Sequence, residues 1–426
     1  MKKEKETYLD GAANVPVDKR VFKAMKPFLR HSFKGNASAI HGYGQRAAKA
    51  IADARKKIAS IVDARPEEVY FTSGATEGNN WVITSLAMHE MLPSNKNPKK
   101  HIVCSSIEHS SIINTCKYLI QFGFDVTFVD PDRNGVVTAE SIGKALRPDT
   151  LLVCIMAVNN ETGKLCEARE SAELAKKNGS LTLIDCTQLI GYGGKNTHIC
   201  SSYLQGDYFT FSAHKFYGPE GVGCLIARSG VPLYPLLHGG SQEFGKRSGT
   251  SNVAGIVGMA KALELIEKDT NLSTHFNNLY IYLIIRLIKF ATKLGIVKGE
   301  SMYYKSLEGF LSIVLNTAPD HRNIVSLNLS PFIQVDGLQD KMWFKGIAVS
   351  AGSACDADHD NINGFNPSHV LVAMGLSEDA IRNTIRVSFT KDTTKRDIDR
   401  LIRAIGKIME EQKEEQKELE KNVRDN

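Results

Sequence analysis

The sequence predicts an α/β protein with a mostly parallel sheet, on three observations. Between about residues 68 and 230, short β-rich runs alternate with helical patterns, the order expected of βαβ units. Beyond that stretch the pattern becomes a long helix at about 255–292 and then a mixture of strands and helices. The length of 426 residues suits one large and one smaller domain, each burying its own apolar centre.

In chain order the runs are VYFTS followed by ATEGNNWVITSLAMHE, HIVCSS followed by SSIINTCKYLIQFG, then VTFVD, LLVCIMAVNN, the helical ESAELAKKNG, LTLIDC, YFTFSA and GVGCLIA. The long helix contains an apolar run at 279–288. Arg286 interrupts it and Lys289 follows, so it falls short of the roughly 20 apolar residues a bilayer span requires and reads as an amphipathic core helix. After it, FLSIVLN, IVSLNLS and IAVSAG read as strands, and SHVLVAMG and the segment after Thr393 as helices. A boundary near 265 gives a large domain of 16–264 and a small domain of 1–15 and 265–426. The tail from 409 carries Glu and Lys at helical spacing, as a solvated helix end does.

Hydrophobic residues at 42%, charged residues at 23% and a net charge of +6 belong to a soluble globular chain with no call for a nucleic-acid or membrane partner. The start, MKKEKETYLDG, has no apolar run behind its charges, so a cytoplasmic location is expected. Cysteines at 104, 116, 154, 166, 186, 200, 224 and 355 form no CxxC pair and no regular framework, which argues against disulfide staples and a structural zinc site. Most lie in apolar stretches, where a thiol acts as a small hydrophobe. Cys355 instead follows Gly, Ser and Ala and precedes a polar loop.

Three segments carry chemistry. The run ending Phe71-Thr72-Ser73 leads through Gly74-Ala75-Thr76-Glu77-Gly78 into a helical pattern, and free N–H groups at a helix start bind phosphate, although many strand-to-helix turns look alike. In Leu183-Ile184-Asp185-Cys186-Thr187-Gln188 an apolar strand delivers a carboxylate at its C-terminal end, either as a ligand group or as a helix cap. Thirty residues on, in Ser212-Ala213-His214-Lys215-Phe216-Tyr217-Gly218, a lysine closes a strand after two residues able to bond phosphate. Most lysines are solvated charges, but a partly buried one in this setting can form an imine.

Together with SSIEHSSI at 105–112, VNNETG at 158–163, HGGSQEFGKRSGT at 238–250, SAGSAC at 350–355 and RNTIRVSF at 382–389, these segments occur in one order along almost the whole chain. In that order the chain resembles the class V aminotransferase group of fold-type I pyridoxal-phosphate (PLP) enzymes, and within it the cysteine desulfurases of the NifS and IscS kind. The resemblance implies a mostly parallel seven-stranded sheet in the large domain, a smaller α+β domain, and pyridoxal 5'-phosphate as cofactor. It implies that Lys215 carries the cofactor as a Schiff base; that Gly74, Ala75, Thr76, Ser212 and His214 hold its phosphate; and that Asp185 pairs with the ring nitrogen and Gln188 with the ring oxygen. His109 would stack on the ring and act in acid/base steps, Asn160 and Arg386 would take the substrate carboxylate, and Thr250 would reach the phosphate of the other subunit in a homodimer. L-Cysteine would become L-alanine, with its sulfur taken by Cys355 as a persulfide. No metal is implied.

Several features depart from the family pattern. The segment 356–366 hints at a calcium loop, but Asn361 and Pro367 stand where such a loop needs Gly and Glu, and a loop carrying the thiol is the preferred reading. Its CDADHD start resembles selenocysteine lyases, which makes that activity the runner-up. Gly11-Ala12-Ala13-Asn14-Val15 replaces the usual segment near the N-terminus, and the tail lacks the aromatic ending expected for meeting a scaffold, leaving an iron–sulfur scaffold as one candidate sulfur acceptor among others. A non-catalytic PLP-fold partner protein and an aminotransferase are the remaining alternatives. Lys215, Asp185, His109 and Cys355 together speak against the first, and a thiol at 355 would be of no use to the second.

Overall fold

The computed structural model describes residues 6–192, 204–296, 309–312, 314–351 and 367–424. Its strands are β1 (Thr7–Tyr8), β2 (Val69–Thr72), β3 (His101–Ser105), β4 (Asp125–Val129), β5 (Thr150–Met156), β6 (Leu181–Asp185), β7 (Tyr208–Ser212), β8 (Gly223–Ala227), β9 (Ile324–Asn328), β10 (Ile347–Ala348) and β11 (Thr384–Ser388). Seven of them form one sheet in the order β2-β8-β7-β6-β5-β3-β4. Only β8 runs against its neighbours, β2 and β7. The expected α/β class and mostly parallel seven-stranded sheet are therefore present.

Both faces of the sheet are covered at its centre, so strands such as β5 are buried along their whole length, whereas edge strand β4 begins on an exposed Asp125. In β5, Val153 and Ile155 join the core on one side, with helices Gly42–Ile61, Ala168–Lys177 and Val253–Lys268, while Leu152 and Cys154 join the core under helices Ala75–Glu90 and Ser110–Ile120. Cys104 and Cys116 lie in that second core, where they pack as small hydrophobes.

Two short sheets complete the chain: β9 pairs antiparallel with β11, and β1 parallel with β10. Single bridges join Asp10 to Ser388 and Ser350 to Arg386, bringing the N-terminal segment, residue 350 and β11 side by side. Helix Leu272–Lys293 buries Leu279, Leu283 and Leu287 at four-residue spacing and meets helix Lys395–Arg424 through an Arg286–Asp399 pair at 2.8 Å. The boundary expected near 265 falls in the last turn of helix Val253–Lys268. FLSIVLN differs from expectation: Phe310–Ser312 is helical, and among the described residues of this run only Leu315 bridges to Leu327. Phe310 and Val314 are both buried at helical spacing, and a short apolar run does not by itself separate a buried helix from a strand. None of the described helices is long and apolar enough to cross a membrane.

Candidate active site

A cavity of about 200 Å³ opens where β5, β6 and β7 end, the place an open α/β sheet offers a ligand. Ala75, Thr76, His109, Asn160, Asp185, Gln188, Ser212, His214, Lys215 and Arg386, all singled out from sequence, line it. Gly74 stands just outside as the cap of helix Ala75–Glu90. Thr250 is exposed and lines a separate cleft with Ser73 and Arg247. Cys355 and the 356–366 loop lie outside the described residues.

Lys215 ends the turn Ala213–Lys215 between antiparallel β7 and β8, and its amine donates to the carbonyls of Ala12 and Ala13 at 2.7 Å each. Two residues on, Tyr217 takes φ 66°, a left-handed conformation that costs a bulky side chain energy. Its carbonyl accepts from Asp18 N–H at 3.0 Å and its hydroxyl from Lys391 N–H at 2.7 Å, which hold the turn in place. Burial and then the charge of Lys215 push His214 down to about 4, so its ring is neutral near pH 7.

No side chain caps helix Ala75–Glu90, so the N–H groups of its first turn are left to other partners, and Ala75 donates to Ser212 Oγ at 2.8 Å. Ser73 N–H and the Arg247 guanidinium both bind the Glu77 carboxylate, Arg247 by two bonds of 2.8 and 2.9 Å. That bidentate pair ties the loop carrying Thr250 to the helix start, while Arg55–Glu243 at 2.7 Å ties the same loop to helix Gly42–Ile61.

At the end of β6, Asp185 is 5% exposed and accepts from Asn79 Nδ2 and Thr187 N–H, both at 2.9 Å. Nearby Glu108 is fully buried. Burial, and then the negative charge of Asp185, push its carboxyl well above the usual range, and it accepts from Met156 N–H at 2.6 Å. His109 caps helix Ser110–Ile120, its Nδ1 lying 3.1 Å from Ser111 N and 2.8 Å from Ser111 Oγ. Gln188 Nε2 donates to Ala12 O at 3.0 Å.

At the opposite end, buried Asn159 binds Ile107 O and the N–H groups of Glu161 and Thr162, shaping the turn that presents Asn160. Gly163 closes the turn at φ 69°, where a Cβ would lie 2.6 Å from Ile324 O. Arg386 on β11 donates through Nη1 to Asn160 O at 2.9 Å and through Nη2 to Asp10 Oδ1 at 2.8 Å and Ser350 Oγ at 3.0 Å.

Sequence reasoning missed Asp10, Asn79, Ser111 and the carbonyls of Ala12 and Ala13. Asn79 did leave a signal, being a polar residue one helical turn after Ala75 and so on the same face. The donor set fits pyridoxal 5'-phosphate: an inward amine, a buried carboxylate oriented by two donors for a ring nitrogen, an uncapped helix start beside a serine hydroxyl for a phosphate, and a guanidinium at the far end.

The sequence profile described as Aminotransferase class-V matches residues 7–401. A cysteine desulfurase IscS from Dictyoglomus turgidum is 35% identical over 412 residues, 96% of this chain and 95% of that protein. A solved structure titled NifS-like protein superposes with a TM-score of 0.76 at 33% identity, covering 95% of this chain and 98% of its own. One titled SspA in complex with cysteine gives 0.69 at 31% identity, covering 90% and 98%.

Proposed function

The chain belongs to the class-V aminotransferase family, in its cysteine desulfurase branch, and on that premise we propose that it converts L-cysteine to L-alanine and takes the sulfur onto Cys355 as a persulfide. The observation that carries this reading is the meeting of Lys215, Asp185, His109 and Arg386 around one cavity. A family relative with a solved structure holds cysteine, which supports the choice of substrate.

Pyridoxal 5'-phosphate is the cofactor, and when bound it supplies an electron sink for charge developing on the substrate's α carbon. Lys215 would anchor it and would serve as the base for the Cα proton. Asp185 would pair with the ring nitrogen, Gln188 with the ring oxygen, and Ser212, Thr76, His214 and the helix start at Gly74–Ala75 would hold the phosphate. His109 would cover the ring and move a proton, while Arg386 and Asn160 would orient the substrate carboxylate. The Cys355 thiolate attacks the substrate sulfur: an S–S bond forms, the Cβ–S bond breaks, and the electron pair left on carbon takes a proton on the way to alanine.

The same reading includes a homodimer in which Thr250 reaches the partner's phosphate, a division into domains 16–264 and 1–15 with 265–426, a cytoplasmic location, and delivery of sulfur to an acceptor such as an iron–sulfur scaffold. The deciding experiment measures alanine formed from L-cysteine and from L-selenocysteine, with and without reductant. Cys355→Ala should keep the visible absorbance of the lysine-bound cofactor and lose turnover of cysteine. Sulfide release at the full rate by that variant would overturn the mechanism, and activity on selenocysteine alone would make the protein a selenocysteine lyase.

A further inference from the structure

We propose that Asn79 is a positioning residue which fixes at once the Asp185 carboxylate and the ring tautomer of His109. What those two groups do rests on the functional reading above; how they are held does not. Asn79 is 0% exposed, in the second turn of helix Ala75–Glu90. Its Oδ1 accepts from Thr210 Oγ1 at 2.6 Å, and its Nδ2 donates to Asp185 Oδ2 at 2.9 Å and to Ser111 Oγ at 3.0 Å. A carboxylate only accepts, so the amide atom facing Asp185 is the nitrogen, and the orientation of the whole group follows.

Because Ser111 Oγ receives a proton from Asn79, its own hydroxyl proton goes to His109 Nδ1 at 2.8 Å. Ser111 N–H points at the same ring nitrogen from 3.1 Å. Two donors on Nδ1 keep its lone pair as the acceptor and put the ring proton on Nε2. A neutral histidine so held presents a proton donor on the edge away from the helix start, while Asp185 keeps its remaining lone pairs for a ring N–H. Thr210, Asn79, Asp185 and Ser111 are all buried, so each broken link leaves a polar atom without water to replace it. Gly78 makes the reach possible: a Cβ there would lie 2.8 Å from Thr210 Cγ2, and its absence lets the helix settle onto β7.

The test compares wild type, Asn79→Ala and Ser111→Ala by two-bond proton–nitrogen correlation on histidine-labelled, cofactor-free protein, with His109→Gln identifying the signals. Wild type should show the Nε2–H tautomer of His109, and both variants should populate other forms. Loaded with pyridoxal 5'-phosphate, Ser111→Ala should keep wild-type cofactor affinity, whereas Asn79→Ala should weaken it and lower kcat, each by about tenfold to a hundredfold, as loss of an orienting partner does elsewhere. An Nδ1–H tautomer in wild type, or an Asn79→Ala protein with unchanged tautomer and affinity, overturns the proposal. Should Asn79→Ala not fold, Thr210→Val keeps the shape, frees the amide and takes its place with the same readouts. If wild type takes up no cofactor, the functional reading fails while the tautomer still decides the network.

Discussion

The two ends of the cavity are built on different plans. The end that would take the cofactor draws Ser73 through Asn79, Asp185, Ser212 and Lys215 from the ends of β2, β6 and β7 in one sheet, and orients them with short bonds, mostly from uncharged donors. The end that would take the substrate draws Asp10, Asn160, Ser350 and Arg386 from four segments and holds them around one ion pair. At the first end position is inherited from the sheet, so a substitution there costs chemistry. At the second, position depends on the mutual placement of distant segments, so a substitution costs binding and stability together.

Lys215→Ala tests this distinction most severely. Turnover should fall by about a thousandfold or more, from loss of the proton-transferring amine, and the visible absorbance of the lysine-bound cofactor should vanish, while thermal unfolding of the cofactor-free protein stays near wild type. Arg386→Lys should leave that absorbance intact and lower kcat/KM for L-cysteine by about a hundredfold, because an ammonium does not reproduce the planar fork; a loss confined to kcat would place the defect at the wrong end. Asp10→Asn should cost about 1–3 kcal/mol in denaturant unfolding, the range for a hydrogen bond to a buried charge, without altering the cofactor's absorbance. An equal loss of cofactor binding in this variant would erase the contrast.

The remaining effect appears only in acid. His214 near Lys215 and His321, buried behind the Asn160 turn with its backbone N–H on Gly163 O at 2.9 Å, are both pushed down to about 4, chiefly by burial. A histidine whose folded value lies below its ordinary 6.5 binds fewer protons when folded, so its contribution to stability is complete above that pH and is lost as pH falls toward about 4. His321→Phe should therefore flatten the decline in stability between pH 6.5 and 4, by at most about 3 kcal/mol. An unchanged acid profile would show that burial of this ring is not what the protein loses there.

The cofactor end was largely legible because its groups sit where strand patterns stop: Asp185 closes an apolar run, Lys215 follows another, and Gly74–Thr76 opens a helix. What stayed hidden depends on tertiary distance. Asn79 looks like any polar helix residue until β6 and helix Ser110–Ile120 come within reach of its amide. The carbonyls of Ala12 and Ala13 are main-chain groups that no residue type announces, although their segment stood out as unusual. Asp10 could not be matched with Arg386 without the bridges that align the N-terminal segment with β11. FLSIVLN is ambiguous in sequence because five apolar residues in a seven-residue run satisfy either period.

The Asp10–Arg386 pair also orders events in time. Its partners are 376 residues apart, so at a synthesis rate of about 5–20 residues per second the aspartate leaves the ribosome roughly twenty seconds to over a minute before its arginine exists. Every strand of the seven-stranded sheet is made during that interval, but the Asp10–Arg386 pair is completed only when the last described strand, β11, arrives. A chain interrupted before β11 would thus carry all seven strands of the central sheet and lack the cation that pairs with Asp10.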